Sequence, residues 1–248
     1  MIENLIIYIV VGFFAQMIDG SLGMAYGVSA TSFLLGIGVS PSVASASVHT
    51  AEIFTTGVSG IAHWKFGNLD KELIRKLLIP GVLGGILGAY VLTNLPGDVL
   101  KPYIALYLLL MGVRILLKAF SKSPLQGLKT HLTVLGLTGG IFDAIGGGGW
   151  GPIVTSTLIS QGNTPRKTIG SVNFTEFFVT FAEVATFIVT MTIGMDKWQV
   201  IAGLALGGVI AAPLGAYFTK RIPAKTMMIS VGILIIFLSL RTIYLAWF

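Results

Sequence analysis

Two glutamates stand where carboxylates are costly. Glu52 falls near the middle of the apolar segment 42–64, and Glu176 holds the matching place in 168–193. At bilayer depth a carboxylate costs several kcal/mol unless it is paired, protonated or facing water, so intramembrane acids read first as functional. Two chemistries suit them: carrying a coupling proton or sodium ion, or serving as buried structural acids. His49 lies three residues before Glu52 and Asn173 three before Glu176, so each pair shares a helix face. His49 could hand a proton on; Asn173 cannot. Thr50 and Thr175 lie beside these pairs, and Gln16 sits just ahead of the first glycine-rich break, adding uncharged hydrogen-bonding groups.

The second constellation is backbone. Asp143 to Pro152 reads DAIGGGGWGP, in which Gly146, Gly148 and Gly151 fit the dinucleotide fingerprint G-x-G-x-x-G. That fingerprint needs a preceding strand and a βαβ unit, neither of which is legible in so apolar a chain. Glycines at a helix break do other work: they allow positive φ and bare amide N–H groups to a ligand, or they permit close helix packing. On the first of these readings Gly146, Gly147 and Gly148 are substrate-binding, as are Gly20, Ser21 and Gly23 at the earlier break. Asp19 and Asp143 precede the two breaks and either cap the next helix or touch ligand. Tyr26 and Trp150 flank the breaks and either wall a site or pack.

The elements that position these groups are membrane helices. Of 248 residues, 54% are hydrophobic and 10% charged, against about 25% charged in soluble domains. The excess of Lys and Arg over Asp and Glu, 16 to 10, sits in short loops and reports orientation, not nucleic-acid binding. There is no Cys, which excludes disulfides, thiolate metal sites and thiol nucleophiles. No HExxH or GxSxG is present, no metal-ligand constellation is legible, and no cofactor or enzyme activity is expected. The opening MIENLIIYIVVGFF lacks a basic n-region and reads as a membrane arm, not a signal peptide.

A shift of 124 residues lays the first half over the second. Asp19 meets Asp143, Gly23 meets Gly147, Gly27 meets Gly151, Pro41 meets Pro165 and Glu52 meets Glu176. At a shift of 127, Gly88-Ala89-Tyr90 meets Gly215-Ala216-Tyr217, and Arg114 meets Arg241. Each half, 1–124 and 125–248, thus reads as two short apolar arms forming a re-entrant helical hairpin, then three crossings of about 20 residues. Three crossings per half invert the second half relative to the first. Under that model twelve cations in the stretches 65–76, 118–129, 166–167 and 220–225 share one side, against Lys101 and Lys197 on the other. The richer side is cytoplasmic, and both termini are extracytoplasmic. Arg114 and Arg241 lie towards helix ends, where they can snorkel, and the Gly81/Gly85, Gly84/Gly88 and Gly203/Gly207 spacings are packing faces.

The stretches G-F-F-A-Q-M-I-D-G-S-L-G-M-A-Y-G, V-S-P-S-V-A-S-A-S-V-H-T-A-E, G-G-I-F-D-A-I-G-G-G-G-W-G-P and N-T-P-R-K-T-I-G-S-V-N-F-T-E-F carry a resemblance. They are similar to the sulfite exporter TauE/SafE family of membrane permeases, also known by its toluene-sulfonate uptake members. The resemblance implies an inner-membrane transporter of sulfite, sulfonates or related small sulfur-containing anions. Helix N-termini and free N–H groups at paired breaks suit an anion at the midplane of an inverted-repeat transporter. The alternatives are an anion channel of the same architecture, for which the Asn-Pro-Ala tips of water channels are missing, and a membrane-embedded enzyme.

Overall fold

The computed structural model describes residues 2–22, 24–120, 130–191, 198–218 and 224–247. They form an all-α membrane protein. The first half holds α1 (Ile2–Leu22), α2 (Tyr26–Gly36), α3 (Pro41–Lys65), α4 (Lys71–Asn94) and α5 (Gly97–Phe120). The second holds α6 (Leu132–Gly146), a π-helical turn (Gly151–Thr155) running into α7 (Ser156–Ser160), α8 (Pro165–Thr190), α9 (Trp198–Phe218) and α10 (Ala224–Trp247). Adding 124 to the last residue of α1 and to both ends of α2 gives 146, 150 and 160, where the second hairpin breaks, resumes and ends. Adding 127 to the first residues of α4 and α5 gives 198 and 224, the starts of α9 and α10.

Local chemistry sets these limits. Pro41 and Pro165 open α3 and α8, where a missing N–H costs nothing. Asp70 caps α4, accepting from the N–H of Glu72 at 3.0 Å and of Leu73 at 3.1 Å. Gly147 ends α6 with φ +65°, and Gly148 follows at +136°, conformations that cost other residues dearly.

Four stretches among the described residues are long and apolar enough to cross a membrane: Lys71–Asn94, Gly97–Phe120, Lys167–Thr190 and Met228–Trp247. The sequence predicts six crossings. The 25-residue α3 has the length but carries serines, threonines, His49 and Glu52, many of them turned inward. The first arm also differs from expectation. It is predicted to end before Asp19, yet α1 continues to Leu22, 21 residues in all, although its apolar part, Leu5–Asp19, matches the 15 residues of α6. The chain stays helical for three residues past Asp19, as α6 does past Asp143, before it breaks.

Packing is dominated by α1 on α9, α4 on α6, α5 on α10, α3 on α8 and α4 on α8; exchanging the halves maps the first four onto themselves, while the counterpart of the fifth, α3 on α9, is less extensive. Glycines allow the closest of these contacts. Gly84 and Gly88 lie against the backbone of Leu137 and Ile141, and Gly203 and Gly207 against Leu5, Tyr8, Ile9 and Phe13. Helices α3 and α8 cross antiparallel: His49 faces Glu183, and Ser59 faces Asn173. Helices α5 and α10 do likewise, with Gly112 beside Ile235 and Phe120 beside Lys225.

Candidate functional site

The two breaks meet backbone to backbone. A Cβ added to Gly27 would lie 2.5 Å from Cα of Gly148, and one added to Gly148 would overlap Gly27. Beside this contact is a small cavity with room for about one water molecule. Its walls come from both hairpins, and ten of its twelve lining residues are pairs 124 apart: Asp19 with Asp143, Ala25 with Gly149, Gly27 with Gly151, Val28 with Pro152 and Glu52 with Glu176. Tyr26 and Gly148 complete it.

Four carboxylates therefore share one small cavity, and no Lys or Arg lines it. Asp143 is buried, and its Oδ1 accepts from the N–H of Gly149 at 2.6 Å and of Trp150 at 2.9 Å, capping the second arm across the break. Asp19 makes the equivalent bond to Tyr26. Both aspartates thus cap and line at once. Glu52 is buried on α3, and Glu176 is half-buried on α8.

His49 is fully buried, and three carboxylates surround its Nε2: Glu183 at 3.0 Å, Asp143 at 3.7 Å and Glu52 at 3.9 Å. Its Nδ1 sits 2.8 Å from the carbonyl of Ser45, whose hydroxyl donates to the carbonyl of Ala144 on α6. Glu183 is the functional-type residue that the sequence reading misses. It lies seven residues, two helical turns, beyond Glu176 on α8, and that spacing alone places both acids on one face. A Cβ on Gly85 would lie 2.7 Å from its Oε1, so α4 leaves the space that the carboxylate fills.

The other expected residues divide. Asn173 points to Ser59, donating from Nδ2 at 3.0 Å. Thr50 and Thr175 donate to carbonyls one turn back in their own helices, Ala46 at 2.6 Å and Ser171 at 2.7 Å. Gln16 is buried on α1 and leaves its Oε1 without a partner among the described residues. Of the glycines, Gly148 lines the cavity. Gly146 packs on the Tyr107 ring, and Gly147, at positive φ, accepts from Thr31 of α2 at 2.5 Å. Gly20 and the backbone of Ser21 belong to the last turn of α1, while the Ser21 side chain and Gly23 lie outside the described residues. Tyr26 lines the cavity and donates to the carbonyl of Leu204 at 3.2 Å; Trp150 is buried against Gly81 and Gly139 and donates to Val172 at 3.2 Å. Arg114 donates to Thr157 at 3.0 Å and Arg241 to the carbonyl of Gly36, each tying a long helix to the second arm of a hairpin.

Comparison with known proteins finds membrane transporters. The family model described as sulfite exporter TauE/SafE matches residues 8–242. The chain is also 43% identical over 253 residues to the probable membrane transporter protein YtnM of Bacillus subtilis strain 168, covering 99% of this chain and 84% of that one. No solved structure matches. The chain belongs to the TauE/SafE sulfite exporter family, whose members are membrane transporters and not enzymes.

Proposed function

We propose that the protein is a secondary transporter of the inner membrane that exports sulfite, sulfonates or related small sulfur-containing anions. It alternates access to a midplane site between two inverted repeats, residues 1–124 and 125–248. The observation that carries this reading is the cavity whose lining pairs off between the halves. A site on the axis relating two repeats presents the same surface to either side when the repeats exchange conformations. The antiparallel crossings of α3 on α8 and of α5 on α10 support inversion, because repeats related by an axis along the membrane normal would run their equivalent helices the same way.

The cavity is closed to an anion in this state, having room for about one water. Opening must separate Gly27 from Gly148. Export gains about 2.3 kcal/mol per charge per 100 mV from an interior-negative potential. Four lining carboxylates repel a bare anion, so passage requires protons or another cation at the site, with Glu52 and Glu176 as coupling groups. An uncoupled anion channel fits such a lining less well.

The test is counterflow in proteoliposomes loaded with unlabelled candidates. Labelled sulfite or a small sulfonate accumulates above protein-free vesicles if the reading holds, and none does if it fails. Orientation has its own test, which the absence of native Cys makes clean. Cysteines at Lys71 and Lys225 are protected from an impermeant thiol reagent in intact cells, whereas one at Lys101 labels. Labelling at Lys225 from outside contradicts inversion.

A further inference from the structure

His49, Asp143 and Glu183 converge from α3, α6 and α8, and one donor atom of each lies within 4.8 Å of the others. All three residues are at most 1% exposed. His49 Nε2, Asp143 Oδ2 and both carboxylate oxygens of Glu183 are buried without a hydrogen-bond partner among the described residues. These atoms face one another. We propose that they hold a divalent first-row transition metal ion.

The tautomer of His49 is the first argument. The Ser45 carbonyl 2.8 Å from Nδ1 can only accept, so Nδ1 carries the hydrogen. In the neutral ring Nε2 then presents a lone pair to two carboxylates, a set of acceptors that needs either a shared proton or a metal ion between them. A histidine that donates its second nitrogen to a backbone carbonyl while aiming the first at a cation is the usual supporting arrangement for a metal ligand.

Spacing is the second argument. Two ligands each about 2.1 Å from one metal, at tetrahedral to octahedral angles, stand about 3.0–3.5 Å apart. The observed separations from Nε2 are 3.0 Å to Glu183 and 3.7 Å to Asp143, so small rotations bring all three into range. Charge is the third. Three carboxylates around one imidazole, with no Lys or Arg among the contacts, leave a net negative charge deep in the protein that a dication largely offsets. An imidazole with two carboxylates selects ions of the zinc, cobalt, iron and manganese type over sodium or calcium, which prefer all-oxygen sites. Asp143 also lines the cavity, so the ion would stand at the edge of the space assigned to the transported anion and supply the positive charge its walls lack. The ion site itself does not depend on what is transported.

The test uses full-length, tag-free protein in detergent and reads binding, not transport. Elemental analysis after dialysis against Zn²⁺ gives one equivalent per chain, and Co²⁺ substitution gives a visible spectrum of mixed nitrogen and oxygen ligation. EDTA lowers the melting temperature. Glu183→Gln weakens Zn²⁺ binding by about tenfold or more, while Ser59→Ala, at the equivalent position of the other half, leaves it unchanged. Absence of bound metal with no response to EDTA overturns the proposal in favour of a proton on His49. Equal Zn²⁺ affinity in Glu183→Gln and the parent protein overturns it as well. Should Glu183→Gln not fold, the Co²⁺ spectrum and EDTA response of the parent protein decide the matter.

Discussion

The crossing of α3 and α8 contains the same contact twice, built in two chemistries. At one end His49 meets Glu183 at 3.0 Å; at the other Asn173 meets Ser59, also at 3.0 Å. His49 and Asn173 stand 124 residues apart, as do Ser59 and Glu183. Residues 124 apart thus place a polar pair at both ends of the crossing, an imidazole with a carboxylate at one and an amide with a hydroxyl at the other. The bridge that holds the carboxylate also gathers Asp143 and Glu52, whereas the neutral one satisfies itself. A neutral bridge is enough to hold the helices together. Under the proposed function the charged copy marks the end of the crossing at which ions are handled, and the neutral copy serves as its built-in control.

Breaking the bridges separates them most. His49→Ala leaves the buried carboxylates of Glu183 and Asp143 without the imidazole they face and costs about 3–5 kcal/mol, as breaking a buried charged cluster by removing one member does. Asn173→Ala removes one neutral hydrogen bond and costs about 1 kcal/mol. Thermal denaturation in detergent ranks the two, and equal losses would erase the distinction. Copying the neutral bridge into the charged place sharpens it. The double variant His49→Asn, Glu183→Ser recovers most of the stability lost in His49→Ala while losing gradient-driven sulfite flux, measured in proteoliposomes.

The hairpin tips offer a smaller contrast. Ala25 adopts φ +98°, whereas in the second break Gly147 and Gly148 take the positive φ. Ala25→Gly relieves that left-handed strain and raises stability by about 1 kcal/mol; a fall in melting temperature would contradict the strained tip. Smallest are the arginine ties. Arg114→Met and Arg241→Met each cost less than about 1 kcal/mol, since both side chains are exposed, and neither changes sulfite exchange.

Much of this plan is legible in the sequence, and the comparison explains what is not. Apolar runs, proline starts and glycine breaks fix the helices, and recurrence at 124 finds Asp19 with Asp143 and Glu52 with Glu176. The same reliance on recurrence hides Glu183, whose counterpart is Ser59 and so carries no repeated acid to draw attention. Glycines are visible as gaps in side-chain volume, but the sequence cannot say what fills the gap. At Gly147 and Gly146 it is Thr31 and Tyr107; at Gly148 it is the facing backbone of Gly27 beside the cavity. Thr50 and Thr175 stand beside the right residues yet bond within their own helices. The reach of α1 past Asp19 and of α6 past Asp143 is set inside the breaks themselves, where apolar periodicity gives no signal.

The central claim is that ion handling belongs to the charged copy. Glu52 lies 3.9 Å from His49 Nε2, while its equivalent, Glu176, has Asn173 in the corresponding place. The direct measurement is the ratio of gradient-driven net flux to sulfite exchange in proteoliposomes for Glu52→Gln and Glu176→Gln side by side. Exchange needs only binding and reorientation, so it persists in both. The account predicts a much larger fall in the ratio for Glu52→Gln. Equal falls, or a larger one for Glu176→Gln, would contradict it.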